Sequence, residues 1–222
     1  TKVFGAGELT LIRDLAFDFV AKQTNKGAST KNPSLSVDNI LHLRNGYLKR
    51  LAGLNVKESI IIDKMPTNFM YVGLILSAFP EAKLIHTKRH PIATCWSIYK
   101  HFFAKDGNAY AYNLKKLGEY YNLYNELMSF WHNKFPGQIY DLCYEDLTKN
   151  QELESRELLD VCELEWEDRC LNFHKTKRAV NTASAAQVRQ KMYQGSSEAW
   201  RNYERHLGPL IERLQIHNSI GR

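Results

Sequence analysis

The sequence predicts an α/β domain built on parallel strands, and three stretches predict it. Lys83 to Lys100 runs from a β-branched strand, Leu84 to Thr87, through the basic turn Lys88-Arg89-His90 into a helix opened by Pro91. Ser59 to Pro66 carries three consecutive isoleucines, the pattern of a strand buried on both faces, and ends in Asp63-Lys64 before a proline. Gln138 to Tyr144 repeats the plan after Pro136-Gly137. Strands alternating with helices are the pattern of right-handed βαβ units. A chain of 222 residues, 44% hydrophobic, can bury the core of one such domain, and residues 1–222 read as a single one.

The elements follow in order. Thr1 to Glu8, with Phe4-Gly5-Ala6-Gly7-Glu8, reads as a glycine-hinged loop, and Leu9 to Ala21 has the spacing of an amphipathic helix. Gln23 to Pro33 is a polar loop. Ser36 is placed to cap a helix through Leu51, which Gly53-Leu54-Asn55 ends. After the isoleucine strand, Asn68 to Phe79 is a helix. Proline at the start of the helix after Arg89 costs no hydrogen bond, because the first N–H groups of a helix are unpaired anyway. Asn108 to Phe135 is a long aromatic-rich helix whose rings read as core and groove wall. Glu145-Asp146-Leu147 starts a helix continuing through Cys162, and Trp166 to Phe173 makes a short one. Arg178 to Tyr193 is polar and rich in small residues, the profile of a functional loop. Ser196 to Trp200 caps a last helix reaching Tyr203, and Leu207 to Ile216 packs the C-terminus.

The charged groups gather at strand ends. A basic turn leading into a helix N-terminus attracts anions, and the carboxyl ends of parallel strands are where open α/β folds bind ligands. Arg89 and, two turns on, Ser97 therefore read as a phosphate or sulfate site, against a bland reading of solvated surface charge. Lys64 ends a buried strand, where its ammonium suits an oxyanion; pairing with Asp63 is the plainer alternative. Glu8, at a helix start, is favoured there by the helix dipole alone.

Composition narrows the ligand. Thirty Lys and Arg against 24 Asp and Glu give +6, which favours an anion, but the basic residues are scattered rather than clustered into a nucleic-acid groove. The four cysteines lack CxxC spacing and paired histidines, which argues against zinc; Cys95 and Cys143, in apolar segments, read as buried thiols, and a reducing compartment is preferred. No apolar run is long enough for a membrane span, and no export peptide is visible. The chain starts without methionine in what reads as mid-domain, so the expectation is a domain truncated at its N-terminus.

Three patches together resemble the sulfotransferase superfamily: Asp63-Lys64-Met65-Pro66; Arg89-His90-Pro91 with Ser97; and Thr182 to Arg189 running to Trp200-Arg201-Asn202-Tyr203. The likeness spans nearly the whole chain. It is nearest to bacterial sulfotransferases that follow tetratricopeptide repeats, which in turn look like tyrosylprotein sulfotransferases. The resemblance implies a three-layer, P-loop-kinase-like fold with a central parallel sheet flanked by helices. It also implies transfer of a sulfuryl group from 3′-phosphoadenosine 5′-phosphosulfate, directly and without a metal, to a hydroxyl or amine of a small molecule, sugar or peptide. By position, Arg89 and Ser97 resemble the pair holding the 3′-phosphate, and Lys64 the catalytic lysine. Glu8 resembles the general base, while Tyr144, Ser184, Arg189 and Trp200 fall where relatives line the nucleotide. The loop that cradles the 5′-phosphosulfate in relatives is not among these 222 residues. The implied setting is the bacterial cytoplasm, or the Golgi lumen if the source is eukaryotic, with tetratricopeptide repeats upstream. Two other readings fit the same anion site: a phosphoadenosine binder without catalysis, and a P-loop-kinase-like phosphotransferase.

Overall fold

The computed structural model describes residues 2–25, 35–103, 107–176 and 187–214. They form two compact units, Thr1–Ala82 and Lys83–Arg222.

In the first unit, strand β1 (Val3–Gly7) precedes helices α1 (Leu11–Asn25) and α2 (Val37–Ala52). Strand β2 (Ile60–Asp63), a 3-10 segment at Pro66–Tyr71 and helix α3 (Val72–Ala78) complete it. The segment expected to be a loop is thus largely a strand. It pairs in parallel with β2, Val3 to Ile60, Phe4 to Ile61 and Gly5 to Ile62, and the register then slips so that Gly7 meets Asp63. Ala6 is the extra residue of this bulge, and Gly7 takes φ +81°, a conformation that only glycine adopts cheaply. The isoleucine strand is not buried on both faces. Ile61 is half-buried while Ile60 and Ile62 stay exposed, the alternation of a strand whose successive side chains leave opposite faces and of which one face is covered. Ser36 caps α2 as expected, its hydroxyl accepting from the Asn39 N–H at 3.3 Å.

The second unit begins with strand β3 (Leu84–Lys88), then α4 (Pro91–Tyr99), opened by Pro91 as expected. A 3-10 turn at Ala109–Tyr112 precedes α5 (Leu114–Lys134), so the expected single helix is divided at Asn113, whose side chain accepts from the Lys116 N–H. Strand β4 (Ile139–Cys143) pairs in parallel with β3 in unbroken register: Leu84 with Ile139, His86 with Asp141, Lys88 with Cys143. Helices α6 (Tyr144–Lys149) and α7 (Gln151–Val161) are separate, interrupted at Asn150. The next segments are 3-10 rather than α, at Asp168–Lys175, Gln187–Arg189 and Ala199–His206, before α8 (Gly208–Ile211). The polar loop expected from Arg178 lies mostly outside the described residues.

The core of this unit is the contact of α4, α5, α8 and the 199–206 turn, made by Ile92, Cys95, Leu117, Trp200, Leu207 and Leu210. Burial pushes the Cys95 thiol up to about 12, so it packs as a small hydrophobe. All four cysteines are unpaired thiols. No described helix is long and apolar enough to cross a membrane.

Gly118 sets how closely α5 meets α8. A methyl group there would stand 2.9 Å from the Arg213 Cβ and 3.3 Å from the Leu210 carbonyl oxygen. Gly118→Ala is therefore expected to destabilise the protein by about 1–3 kcal/mol, the usual cost of overpacking. The midpoint of urea unfolding measures it.

Candidate active site

Two clusters stand at the carboxyl ends of strands, one in each unit. In the first unit, β2 ends in Asp63 and the chain turns out through Lys64. The Lys64 N–H donates to the Gly7 carbonyl at 3.0 Å, which fixes the exit from β1 beside the exit from β2. The bulge at Ala6 and the positive φ of Gly7 then aim Glu8 at Lys64, whose ammonium donates to Glu8 Oε1. Both side chains remain open to solvent, 56% for Lys64 and 38% for Glu8, so an incoming substrate can reach them.

Asp63 does not take the lysine. Its Oδ2 accepts from the Tyr47 hydroxyl at 2.9 Å. Burial raises the Asp63 pKa, against the lowering effect of the hydrogen bonds from Tyr47 and the Leu9 N–H. Burial and the neighbouring Asp63 likewise raise that of Tyr47. The plainer alternative, Lys64 paired with Asp63, is not what forms: Asp63 is taken by Tyr47, and Lys64 pairs with Glu8, a partner the sequence did not suggest.

In the second unit, Arg89 follows β3 directly. Its Nε donates to Ser197 Oγ at 3.0 Å and its Nη2 to the Ser196 carbonyl at 2.6 Å. The guanidinium carbon lies 5.0 Å from the centre of the Tyr144 ring, and the Tyr144 hydroxyl meets Ser196 Oγ at 2.9 Å. A guanidinium has five N–H donors, so two bonds leave Nη1 and the second Nη2 proton for an anion. Ser97 sits half-buried on α4, but the serines that hold Arg89 are Ser196 and Ser197.

Glu145 completes this cluster, and its role was not foreseen in the sequence, where it reads only as a helix start. Its Oε1 accepts from the His90 N–H at 3.1 Å, supplying an acceptor where α4 begins, and it is also hydrogen-bonded to the Ser197 side chain. Burial alone would raise its pKa. The bonds from Ser197, the His90 N–H, its own N–H and the Cys143 thiol outweigh that and hold the carboxyl below its ordinary 4.5.

The remaining expected residues make contacts within the chain or lie outside the described part. Trp200 is 4% exposed and stacks on His90 with ring centres 5.6 Å apart, so it supports the turn from beneath. Arg189 is exposed and donates to the Thr176 carbonyl. Ser184 lies outside the described residues.

Comparison with known proteins decides the family. Residues 22–168 match the Sulfotransferase family, a stretch that contains Lys64, Arg89, Ser97 and Tyr144. The chain belongs to the sulfotransferase family. An uncharacterized protein of Aquifex aeolicus (strain VF5) is 50% identical over 171 residues. That alignment takes in 76% of this chain and only 22% of the relative's length. The fold is similar to the sulfotransferase domain from the curacin biosynthetic pathway, with a TM-score of 0.54 at 15% identity, over 88% of this chain and 80% of that one. The chain is accordingly an α/β member of this family with parallel strands, as its sequence predicts.

The depressed pKa of Glu145 has a sign that can be measured. Between its folded pKa and the ordinary 4.5 the unfolded chain binds the proton and the folded one does not, so stability rises with pH there. The contribution is fully present above 4.5 and is lost as pH falls through the folded value. Glu145→Gln is expected to flatten the dependence of unfolding free energy on pH below that point, read by urea titrations at stepped acid pH.

Proposed function

We propose that the chain carries a sulfuryl-transfer site for 3′-phosphoadenosine 5′-phosphosulfate as donor and a hydroxyl or amine as acceptor. One observation carries the reading: in a chain of this family, an exposed lysine and an exposed carboxylate are paired where β1 and β2 end. The donor supplies a sulfuryl group on a phosphate leaving group. In the transfer, the acceptor oxygen or nitrogen bonds to sulfur, the sulfur bond to the bridging oxygen breaks, and the acceptor's proton departs.

Each end of that reaction has a side chain suited to it. Lys64 neutralises the charge that develops on the bridging oxygen, a form of help worth most when the cation is already in place. Glu8 takes the acceptor's proton. In the free protein the two neutralise each other, so the acceptor hydroxyl enters by displacing Lys64 from Glu8. Arg89, with its unspent N–H donors, and Ser97 fit a 3′-phosphate, to which a guanidinium offers two charge-assisted bonds. Tyr144, Arg189 and Ser184 are assigned to the nucleotide, and Trp200 to the support of that region. The acceptor is a small molecule, a sugar or a peptide. Four unpaired cysteines favour a reducing compartment such as the bacterial cytoplasm.

The test is transfer of sulfur-35 from labelled donor to a panel of phenols, sugars and tyrosine peptides by the full-length protein. Lys64→Ala is expected to lower kcat by about a hundredfold or more, the usual loss when one pre-placed stabilising group is removed. Full activity in that variant would remove Lys64 from the mechanism. Donor binding with no transfer to any acceptor would favour the reading of a phosphoadenosine binder.

A further inference from the structure

We propose that the second unit holds a divalent metal site of the zinc type, formed by His86, His132 and Asp141. The three come from different elements: His86 from β3, Asp141 from β4 and His132 from α5. His86 and Asp141 are register partners on adjacent parallel strands, so their side chains leave the same face of the pair. His132 reaches them from α5.

Their ligand atoms converge on one point. Asp141 Oδ1 lies 2.7 Å from His86 Nδ1 and 3.2 Å from His132 Nε2, and all three atoms fall within 4.8 Å of one another. A tetrahedral zinc ion with bonds of about 2.1 Å needs its ligand atoms about 3.4 Å apart. The two separations from Asp141 fall somewhat short of that value, and His132, a third exposed, has room to rotate and let an ion in. Two imidazoles and one carboxylate make a donor set of borderline softness, suited to zinc and the neighbouring first-row ions, with a fourth position for water.

The surroundings match what metal-bound histidines and carboxylates require. A ligating imidazole keeps its tautomer by donating from its other nitrogen to an oxygen. His86 Nε2 lies 2.5 Å from the Tyr124 hydroxyl oxygen, so with Nδ1 on the metal the Nε2–H has its acceptor. Tyr124 is two turns before His132 on α5 and its ring packs 5.8 Å from that of His86. The second carboxylate oxygen is held as well, by Lys88 Nζ at 3.1 Å, which leaves Oδ1 as the single ligating oxygen of Asp141. The ion would tie α5 to both strands of the unit. None of these side chains is assigned to sulfuryl transfer, so the site stands or falls separately from that reading.

Cobalt(II), whose visible absorption reports tetrahedral coordination, is the probe, added to the chelator-treated full-length protein and displaced with zinc. The expected result is one cobalt per chain with an intense visible band that zinc abolishes. His132→Gln and Asp141→Asn should each weaken binding at least tenfold, and Tyr124→Phe by about tenfold, as loss of an outer partner does. His101→Gln, a histidine outside the cluster, should leave it unchanged. His132 and Tyr124 decide the matter if Asp141→Asn does not fold, circular dichroism being the check on each variant. Absence of the band, unaltered affinity in His132→Gln, or loss of binding in His101→Gln would overturn the site.

Discussion

The register of β3 on β4 is the constraint on which the second unit depends. Five consecutive parallel pairs, Leu84 with Ile139 through Lys88 with Cys143, bring the two strands to an end side by side. Arg89 and Tyr144 are the next residues on each, and that is why a guanidinium can lie against a phenol ring. A slip of one residue would send every side chain of one strand to the opposite face. It would part Arg89 from Tyr144 and His86 from Asp141 together. The C-terminal segment then closes on the paired ends: Ser196 and Ser197 take the guanidinium, Glu145 takes Ser197 and the His90 N–H just before α4, and Trp200 stacks on His90.

The first unit solves a similar problem by breaking register rather than keeping it. An unbroken β1–β2 ladder would carry alternating side chains straight to the end of both strands. The extra residue at Ala6, permitted by the left-handed Gly7, turns the chain so that the carboxylate leaving β1 faces the ammonium leaving β2. Asp63, the nearer carboxylate in sequence, is instead bound to Tyr47.

These features explain what could be read from the amino-acid order and what could not. Strands β2, β3 and β4 announce themselves through β-branched runs, and Pro91 and Ser36 mark helix starts by local chemistry that the structure keeps. Strand β1 was hidden because two of its five residues are glycine, and its strand character comes from backbone pairing rather than side-chain pattern. The exposure of Ile60 and Ile62 was hidden because a run of isoleucines does not say how many faces will be covered. Lys64 and Arg89 were legible as cations at strand ends. Their partners were not, since Glu8 is 56 residues from Lys64 and Ser197 is 108 from Arg89. The His86, His132 and Asp141 cluster has no short spacing at all and exists only through the strand register and the course of α5.

In the proposed function Arg89, at the end of β3, grips a 3′-phosphate. Calorimetric titration of the full-length protein with adenosine 3′,5′-bisphosphate and, separately, adenosine 5′-monophosphate tests it directly, since the two differ only in that group. Binding of the bisphosphate is expected to be at least tenfold tighter, about 1.4 kcal/mol, with loss of that preference in Arg89→Ala. Equal binding of the two nucleotides by the unaltered protein, or an undiminished preference in the variant, would contradict it.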